Sequence, residues 1–196
     1  FCAFFAIPIR DRLITGFKHT FIKSFYESSD VIKALTKALS QEQNREAIFL
    51  TVASKLYKTL QTREAIYCFA KRNHESVVAT YSIKFVDNNT ETSISSDSRF
   101  IQHFLDNREI CFLSELPEET RIELSGHALP PSKTILLPLY SPEIFEGVVI
   151  LSQKEGRAFD SRDNDLFDQV RTLLTGIFYR LTPFEKIESA FNENQR

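Results

Sequence analysis

The cysteines are the side chains of greatest reactive potential in this chain, and their placement argues against reaction. Cys2, Cys68 and Cys111 are odd in number, far apart, and form no CxxC pair. That spacing builds neither a disulfide framework nor a cysteine-rich zinc site, and it fits a reducing compartment. Cys68 and Cys111 fall inside apolar runs that read as strands, where a thiol is buried and structural. His19 lies in a helical stretch, His74 in a polar turn and His127 in a Ser-Gly-His loop; all three read as solvated. Glu115, Glu118, Glu119 and Glu123 cluster on a short amphipathic helix, and a solvated face is the expected reading. No G-x-S-x-G, P-loop, dinucleotide fingerprint or HExxH motif occurs, and no metal site is expected. The net charge of −2 gives no reason to expect a nucleic-acid partner, and no helix-turn-helix is visible.

The elements that would position any site centre on residues 132–181. After Pro130-Pro131 comes an apolar run, Thr134 to Tyr140. A turn spans Ser141 to Gly147, and a second run covers Val148 to Leu151. Two apolar runs across a turn predict an antiparallel hairpin. Both are apolar at consecutive positions, so both faces of the hairpin should be covered. Beyond Phe159-Asp160, Ser161 is the expected N-cap of a long helix. Leu166, Phe167, Val170, Leu173, Leu174, Ile177, Phe178 and Leu181 give that helix a broad apolar face, able to meet a sheet and a second helix. Pro183 is expected to end it.

Upstream, 196 residues with 42% hydrophobic and 26% charged content suit one globular domain plus extensions. The first residue is not Met, so the chain is expected to be a piece of a longer polypeptide. Phe1 to Ile7 is apolar but far shorter than the roughly 20 residues of a membrane span. It reads either as a terminal segment packed on the domain or as the exit of a membrane helix, with Arg10 and Arg12 as inner-leaflet charges. Leu13, Ile14, Phe17, Phe21 and Phe25 form a helical stripe, open to core packing or a dimer seam. Ser28-Ser29-Asp30 reads as a break and a new N-cap. Two more helices follow, with Val31, Ile32, Leu35, Ala38 and Leu39 on the first and Ala47 to Leu60 on the second. Ala65 to Ala70 and Ser76 to Val86 predict a hairpin with a five-residue turn. Asp87 to Ser96 reads as a loop. Asp97 or Ser98 caps a short helix carrying Phe100, Ile101, Phe104 and Leu105. Ile110 to Leu113 reads as a central strand, and Leu116-Pro117-Glu118-Glu119 opens another short helix. The fold class is α+β: an antiparallel sheet of five or six strands, with terminal helices on one face and short helices and loops on the other.

This order resembles a GAF domain. The pieces that carry the resemblance are Val31 to Ser40, Arg63 to Phe69, the apolar run ending Pro138-Leu139, and Gly147-Val148 followed by apolar residues. The helix start Phe159-Asp160-Ser161-Arg162-Asp163 completes the set. The resemblance covers roughly residues 30–181, and the long helix leading straight into the first strand separates it from the PAS sandwich. It implies a regulatory or sensory module of a bacterial signalling protein, with a pocket between the sheet and the short helices near Phe100–Leu105 and Glu118–Leu124. Phe100, Phe104, Cys111 and Leu113 are the pocket candidates. Leu13, Phe17, Phe21, Phe25, Leu174 and Phe178 are the dimer-helix candidates.

The family's specialisations are not matched by motif. Bilin-binding relatives need a pocket-side helical cysteine, and the Asn-Lys-Phe…Phe…Asp-Glu signature of cyclic-nucleotide members is absent. Haem would need an axial histidine; His103 is the one candidate, and its place beside Phe104 turns it away. No cofactor is therefore expected. The free methionine sulfoxide reductases of this fold use several loop cysteines, unlike the isolated thiols here. The expected organisation is an extension over 1–29, a GAF-like domain over 30–181, and a tail or connector over 182–196. The expected function is non-catalytic: a homodimer modulated by a small ligand or by dimer geometry, with its output domain on the same polypeptide. It would be cytoplasmic, or tethered to the inner membrane through the N-terminal segment. The alternatives are a ligand-free dimerisation module with a pocket filled by Phe100, Phe104 and Phe112, and a cysteine-based reductase.

Overall fold

The computed structural model describes residues 27–71, 80–87, 90–124, 126–127, 129–142 and 144–193, the side chains from 182 onward excepted. The expected helix over Arg10 to Glu27, but for Glu27 itself, the start of the second strand and Cys2 lie outside them. The first described helix, α1 (Ser28–Leu39), has Glu27 at its N-cap without a side-chain cap, so Ser28-Ser29-Asp30 enters the helix instead of preceding it. Val31, Leu35 and Leu39 recur every fourth residue and form its buried stripe. The second helix, α2 (Arg45–Leu60), is capped by Asn44, whose Oδ1 accepts from the Glu46 N–H at 2.8 Å. It stops at Gln61, which turns left-handed with φ of 52°.

Six strands form one sheet, in the order β3-β2-β1-β6-β5-β4, and every neighbouring pair is antiparallel. These strands are β1 (Ala65–Ala70), β2 (Tyr81–Phe85), β3 (Glu91–Ile94), β4 (Cys111–Phe112), β5 (Ile135–Tyr140) and β6 (Phe145–Leu151). Two sequence expectations change. The described register of the first hairpin runs from Ile66↔Phe85 to Ala70↔Tyr81, and the expected five-residue turn lies outside the described residues. The expected polar loop contains β3, an edge strand pairing with β2 from Tyr81↔Ile94 to Lys84↔Glu91. Its polar Glu-Thr-Ser sequence fits because an edge strand is mostly solvated and needs no apolar pattern. The strand expected at the centre, Ile110 to Leu113, is a two-residue edge strand. There the chain turns at once into a 3₁₀ turn, Leu113–Glu115, and the Glu115 carboxylate takes the Phe112 N–H at 2.7 Å.

The two faces of the sheet carry separate cores. On the back, Tyr67, Phe69, Leu137, Leu139 and Val149 meet α1, α2 and the closing helix α5 (Ser161–Glu193). On the front, Ile66, Cys68, Leu136, Val148 and Ile150 meet two short helices, α3 (Arg99–Asp106) and α4 (Glu118–Ile122). Strands β5 and β6 are buried at every position because both faces are covered.

The centre of the sheet requires glycine at 147. A Cβ there would lie 2.0 Å from the Cys68 carbonyl oxygen and 2.9 Å from the Phe49 ring. Just before it the β5–β6 register slips, with Leu139 opposite Gly147 but Tyr140 opposite Phe145, so Glu146 is the extra residue of a bulge. The bulge lets Glu146 pair with Arg45 of α2, both of them buried.

The start of α5 differs from expectation. Asp160, not Ser161, is the cap: its Oδ1 accepts from the N–H groups of Arg162 at 3.0 Å and Asp163 at 3.3 Å. Asp163 reaches back to the Asp160 N–H at 2.9 Å, which closes a reciprocal capping box. Asp163 is fully buried and also receives Lys154 Nζ at 2.8 and 2.7 Å. Pro183 does not end the helix, whose backbone continues to Glu193. A proline removes one hydrogen bond and costs about 3 kcal/mol, which a long, otherwise bonded helix can carry.

Candidate functional site

The front compartment is the position the sequence singled out for recognition. Its roof is α3, whose first turn is closed from two sides. Ser98 Oγ accepts from the Ile101 N–H at 3.1 Å. The Glu123 carboxylate accepts from the N–H groups of Arg99 at 3.0 Å and Phe100 at 3.2 Å. A carboxylate on those donors also meets the positive end of the helix dipole. Glu119 pairs with the Arg99 side chain. All four glutamates expected on a solvated face are exposed, and two of them, Glu119 and Glu123, also tie α4 to α3. Beneath the roof, Phe100, Ile101 and Phe104 are fully buried.

Aromatic rings fill the space between roof and sheet. Phe104 meets Phe100 edge-on at 5.3 Å and stacks on Phe145 at 5.8 Å. Tyr81 and Tyr140 flank Phe145 at 5.6 and 5.4 Å. The Tyr140 hydroxyl donates to the Phe104 carbonyl at 2.6 Å, with the Asn107 carbonyl at 3.2 Å, so the strand holds the C-terminal end of α3. Burial pushes this phenol up to about 12. Leu113, Leu116 and Leu124 close the remaining sides.

Of the pocket candidates, Phe100, Phe104 and Leu113 are buried in this compartment, and Cys111 is half-buried at its margin. Phe112 faces the other way: it pairs with Ile135 and its ring meets Phe159, 6.4 Å distant, beside the back core. Tyr81, Tyr140, Phe145 and Glu123 were not singled out from the sequence. Their roles arise from long-range packing, and no local motif marks them. His103 is half-buried with its ring edge-on to Phe104 at 5.2 Å, and burial lowers its pKa. His127 is not merely solvated; its ring lies edge-on to Phe85 at 4.9 Å.

The two described thiols are held in the protonated form. Burial drives Cys68 far above the ordinary thiol range. Cys111 is pushed up to about 11, first by burial and then by the Glu115 carboxylate. Among the described residues, no group of three or more His, Cys, Asp and Glu side chains is placed to hold a metal ion. No described helix is long and apolar enough to cross a membrane.

The dimer-helix candidates divide. Leu13, Phe17, Phe21 and Phe25 lie outside the described residues. Leu174 and Phe178 are fully buried in the chain's own back core, with Phe178 stacked on Phe49 at 5.7 Å. A side chain enclosed by its own domain offers no surface to a partner, so these two are corrected to core residues. Tyr179, 66% exposed, is the large side chain on that turn that faces outward.

Neither a protein-family model nor a curated protein matches the sequence. Solved structures do match in fold. One is the GAF domain of a phosphoenolpyruvate-protein phosphotransferase from Coxiella burnetii, with TM-score 0.57 and 13% identity, covering 80% of this chain and 95% of that one. A phycocyanobilin-bound GAF domain from a cyanobacterial phytochrome gives TM-score 0.58 at 9% identity, over 80% of this chain and 96% of that chain. The free methionine-R-sulfoxide reductase from Neisseria meningitidis, in complex with its substrate, gives TM-score 0.55 at 14% identity, over 80% and 90%. The chain has the GAF fold.

Proposed function

From that fold we propose a non-catalytic regulatory module of a bacterial signalling protein, working as a homodimer through its terminal helices. The observation that carries this reading is the arrangement of α1 and α5. They pack on each other and share one face of the sheet, and α5 continues as a single helix beyond Leu181. A change in how that pair packs on the sheet alters the direction of a rigid rod, which an output domain on the same polypeptide can read. In this proposal residues 1–29 are an extension that supplies Leu13, Phe17, Phe21 and Phe25 to the dimer. Residues 30–181 are the sensing domain, and 182–196 are the connector. The setting is the cytoplasm or its membrane boundary. Sedimentation velocity on the full chain tests the dimer. A dimer that Phe17→Glu plus Phe21→Glu converts to a folded monomer is expected; a wild-type monomer at high micromolar concentration overturns it.

A second reading, a ligand-free structural module, is favoured by the full burial of Phe100, Ile101 and Phe104 where relatives of this fold would keep a pocket. A small ligand in the front compartment would have to displace α3. Truncating Phe104 to Ala distinguishes the readings. If the compartment is solid packing, the variant loses about 3–5 kcal/mol and gains a cavity that binds benzene or indole, whereas the wild type binds neither. A wild-type melting temperature that already rises with such probes would restore the ligand-sensor reading. A reductase is disfavoured because raised thiol pKa values oppose nucleophilic attack near neutral pH.

A further inference from the structure

A second recessed surface lies away from the front compartment, at the outer edge of β5. Strand β4 is only two residues long and covers Ile135 and Leu136 alone, so among the described residues no strand covers the outer side of β5, opposite β6, from Leu137 to Tyr140. Past that edge a cleft of about 470 Å³ opens between the loop after α3, the β5–β6 turn and α5. Arg108, Tyr140, Ser141, Pro142, Arg171 and Thr175 line it, with Asp168 at its rim.

The edge's own polar groups are partly occupied. The Thr175 hydroxyl lies 3.1 Å from the Tyr140 carbonyl and 2.9 Å from that of Arg171. Arg171 Nη2 donates to the Arg108 carbonyl at 2.7 Å, which fixes one guanidinium and the loop carrying the other. Arg108 Nη1 makes a long contact of 3.4 Å with the Pro142 carbonyl, and its guanidinium sits 5.1 Å from the Tyr140 ring centre. A guanidinium has five N–H donors, and these contacts use a minority of them. The charges are unbalanced as well. The polar contact of the Arg108 guanidinium is to a neutral carbonyl, that of Pro142, and the residue is exposed. Arg171 has Asp168 at 3.7 Å, and that carboxylate is 69% exposed. Arg171, bonded to the Arg108 carbonyl and paired with one exposed acid at 3.7 Å, and the exposed Arg108 face a recess between three elements and leave donors unused, as an anion site requires.

We propose that this cleft binds a phosphate group carried by a small molecule, with Arg108 and Arg171 as its ligands. Two planar forks suit a dianionic tetrahedral oxyanion. Arg108 stands on the loop that ends the front roof, and Arg171 stands on α5. Occupancy therefore ties the roof to the connecting helix. Binding itself does not depend on the regulatory reading, and it can be tested separately from it.

The probe is inorganic phosphate at about pH 8, titrated into the ¹⁵N-labelled full chain at constant ionic strength, with chloride as control; at that pH the dianion dominates. Saturable amide shifts are expected, confined to residues 107–109, 140–142 and 168–175. Arg108→Gln should weaken binding about tenfold, the usual weight of a hydrogen bond to a charged group. Asp168→Asn should tighten it about threefold by removing the rim charge. Arg171→Lys keeps the charge if Arg171→Gln unfolds, and should still weaken binding. Shifts that fail to saturate, that chloride reproduces, or that survive Arg108→Gln unchanged would overturn the site.

Discussion

The two sides of the sheet are built on different terms. The back layer consists of helices of 12, 16 and 33 residues laid over strands that bury large apolar side chains. Its polar fastenings are buried ion pairs, Arg45 with Glu146 at one end and Lys154 with Asp163 at the other. The front layer consists of helices of 8 and 5 residues, below the length that holds a helix on its own. Its fastenings are side chain–backbone bonds from Glu115, Glu123 and Tyr140. Burial dominates behind, where losing one partner strands a charge. Local bonds dominate in front, and segments held that way open at lower free energy than the core. A fold built like this yields first at the front.

The sharpest break is Gly147→Ala, because the strand it sits on serves both layers. The added methyl meets the Cys68 carbonyl at 2.0 Å, and the Phe49 ring blocks the way out. A loss above about 4 kcal/mol is expected in urea unfolding, if the variant folds at all. A loss within about 1 kcal/mol would mean that β1 and β6 can separate at little cost.

The next largest effect belongs to the back alone. Asp163→Asn leaves the Lys154 ammonium buried without its carboxylate, a loss of about 3–5 kcal/mol. Adding Lys154→Met should recover most of it. Lys154 is held below its ordinary pKa of 10.5, chiefly by burial. The unfolded chain then binds the extra proton, so the deficit of Asp163→Asn should shrink as pH rises toward 10.5. A deficit that does not change over that range would place Lys154 in solvent in the variant.

Glu123→Ala is the matching break at the front. It removes the acceptor for two N–H groups at the start of α3, and a loss of about 1 kcal/mol is expected. Hydrogen exchange should quicken at Arg99 and Phe100 and stay unchanged in α1 and α2. Equal acceleration on both sides would erase the contrast between the layers.

How much of this the sequence disclosed follows the same division. The back helices, the β5–β6 hairpin and the GAF-type order were legible because long apolar stripes and unbroken apolar runs each imply a covered face. Edge strands were not. Glu91–Ile94 has no alternation to detect, and Cys111–Phe112 looks central because its neighbours are apolar. The front was half legible. Phe100 and Phe104 stood out by their helical spacing, but Phe145 lay in what reads as a turn, and Tyr140 reaches α3 from a distant strand. Phe178 misled for a physical reason: an apolar helical stripe does not say whether its cover is the same chain or another. Pro183 misled because a local helix-breaking rule was outweighed by the rest of a 33-residue helix.

The smallest effect tests whether the polar end of the back face belongs to the back at all. Glu91 stands on edge strand β3. It accepts from Ser82 Oγ at 2.6 Å, pairs with Lys71, and meets Lys84 at 3.3 Å; Lys84 in turn pairs with Glu46 of α2. The Lys71 hydrogen bond, then that of Ser82, holds this carboxyl down to about 2 from an ordinary 4.5. A carboxyl depressed in the folded state contributes stability that is present above 4.5 and is lost as pH falls toward about 2. Glu91→Gln should therefore lower the neutral plateau slightly, with the deficit closing as pH falls between those values, and both changes should be small because the group is exposed and screened. If β3 is fastened to α2 through Lys84, the same variant should also speed exchange at Thr92 and Ser93 without touching α3. Acceleration in α3 instead would mean that the edge of the back face supports the front roof, and the two layers would then share a fastening that the geometry assigns to one.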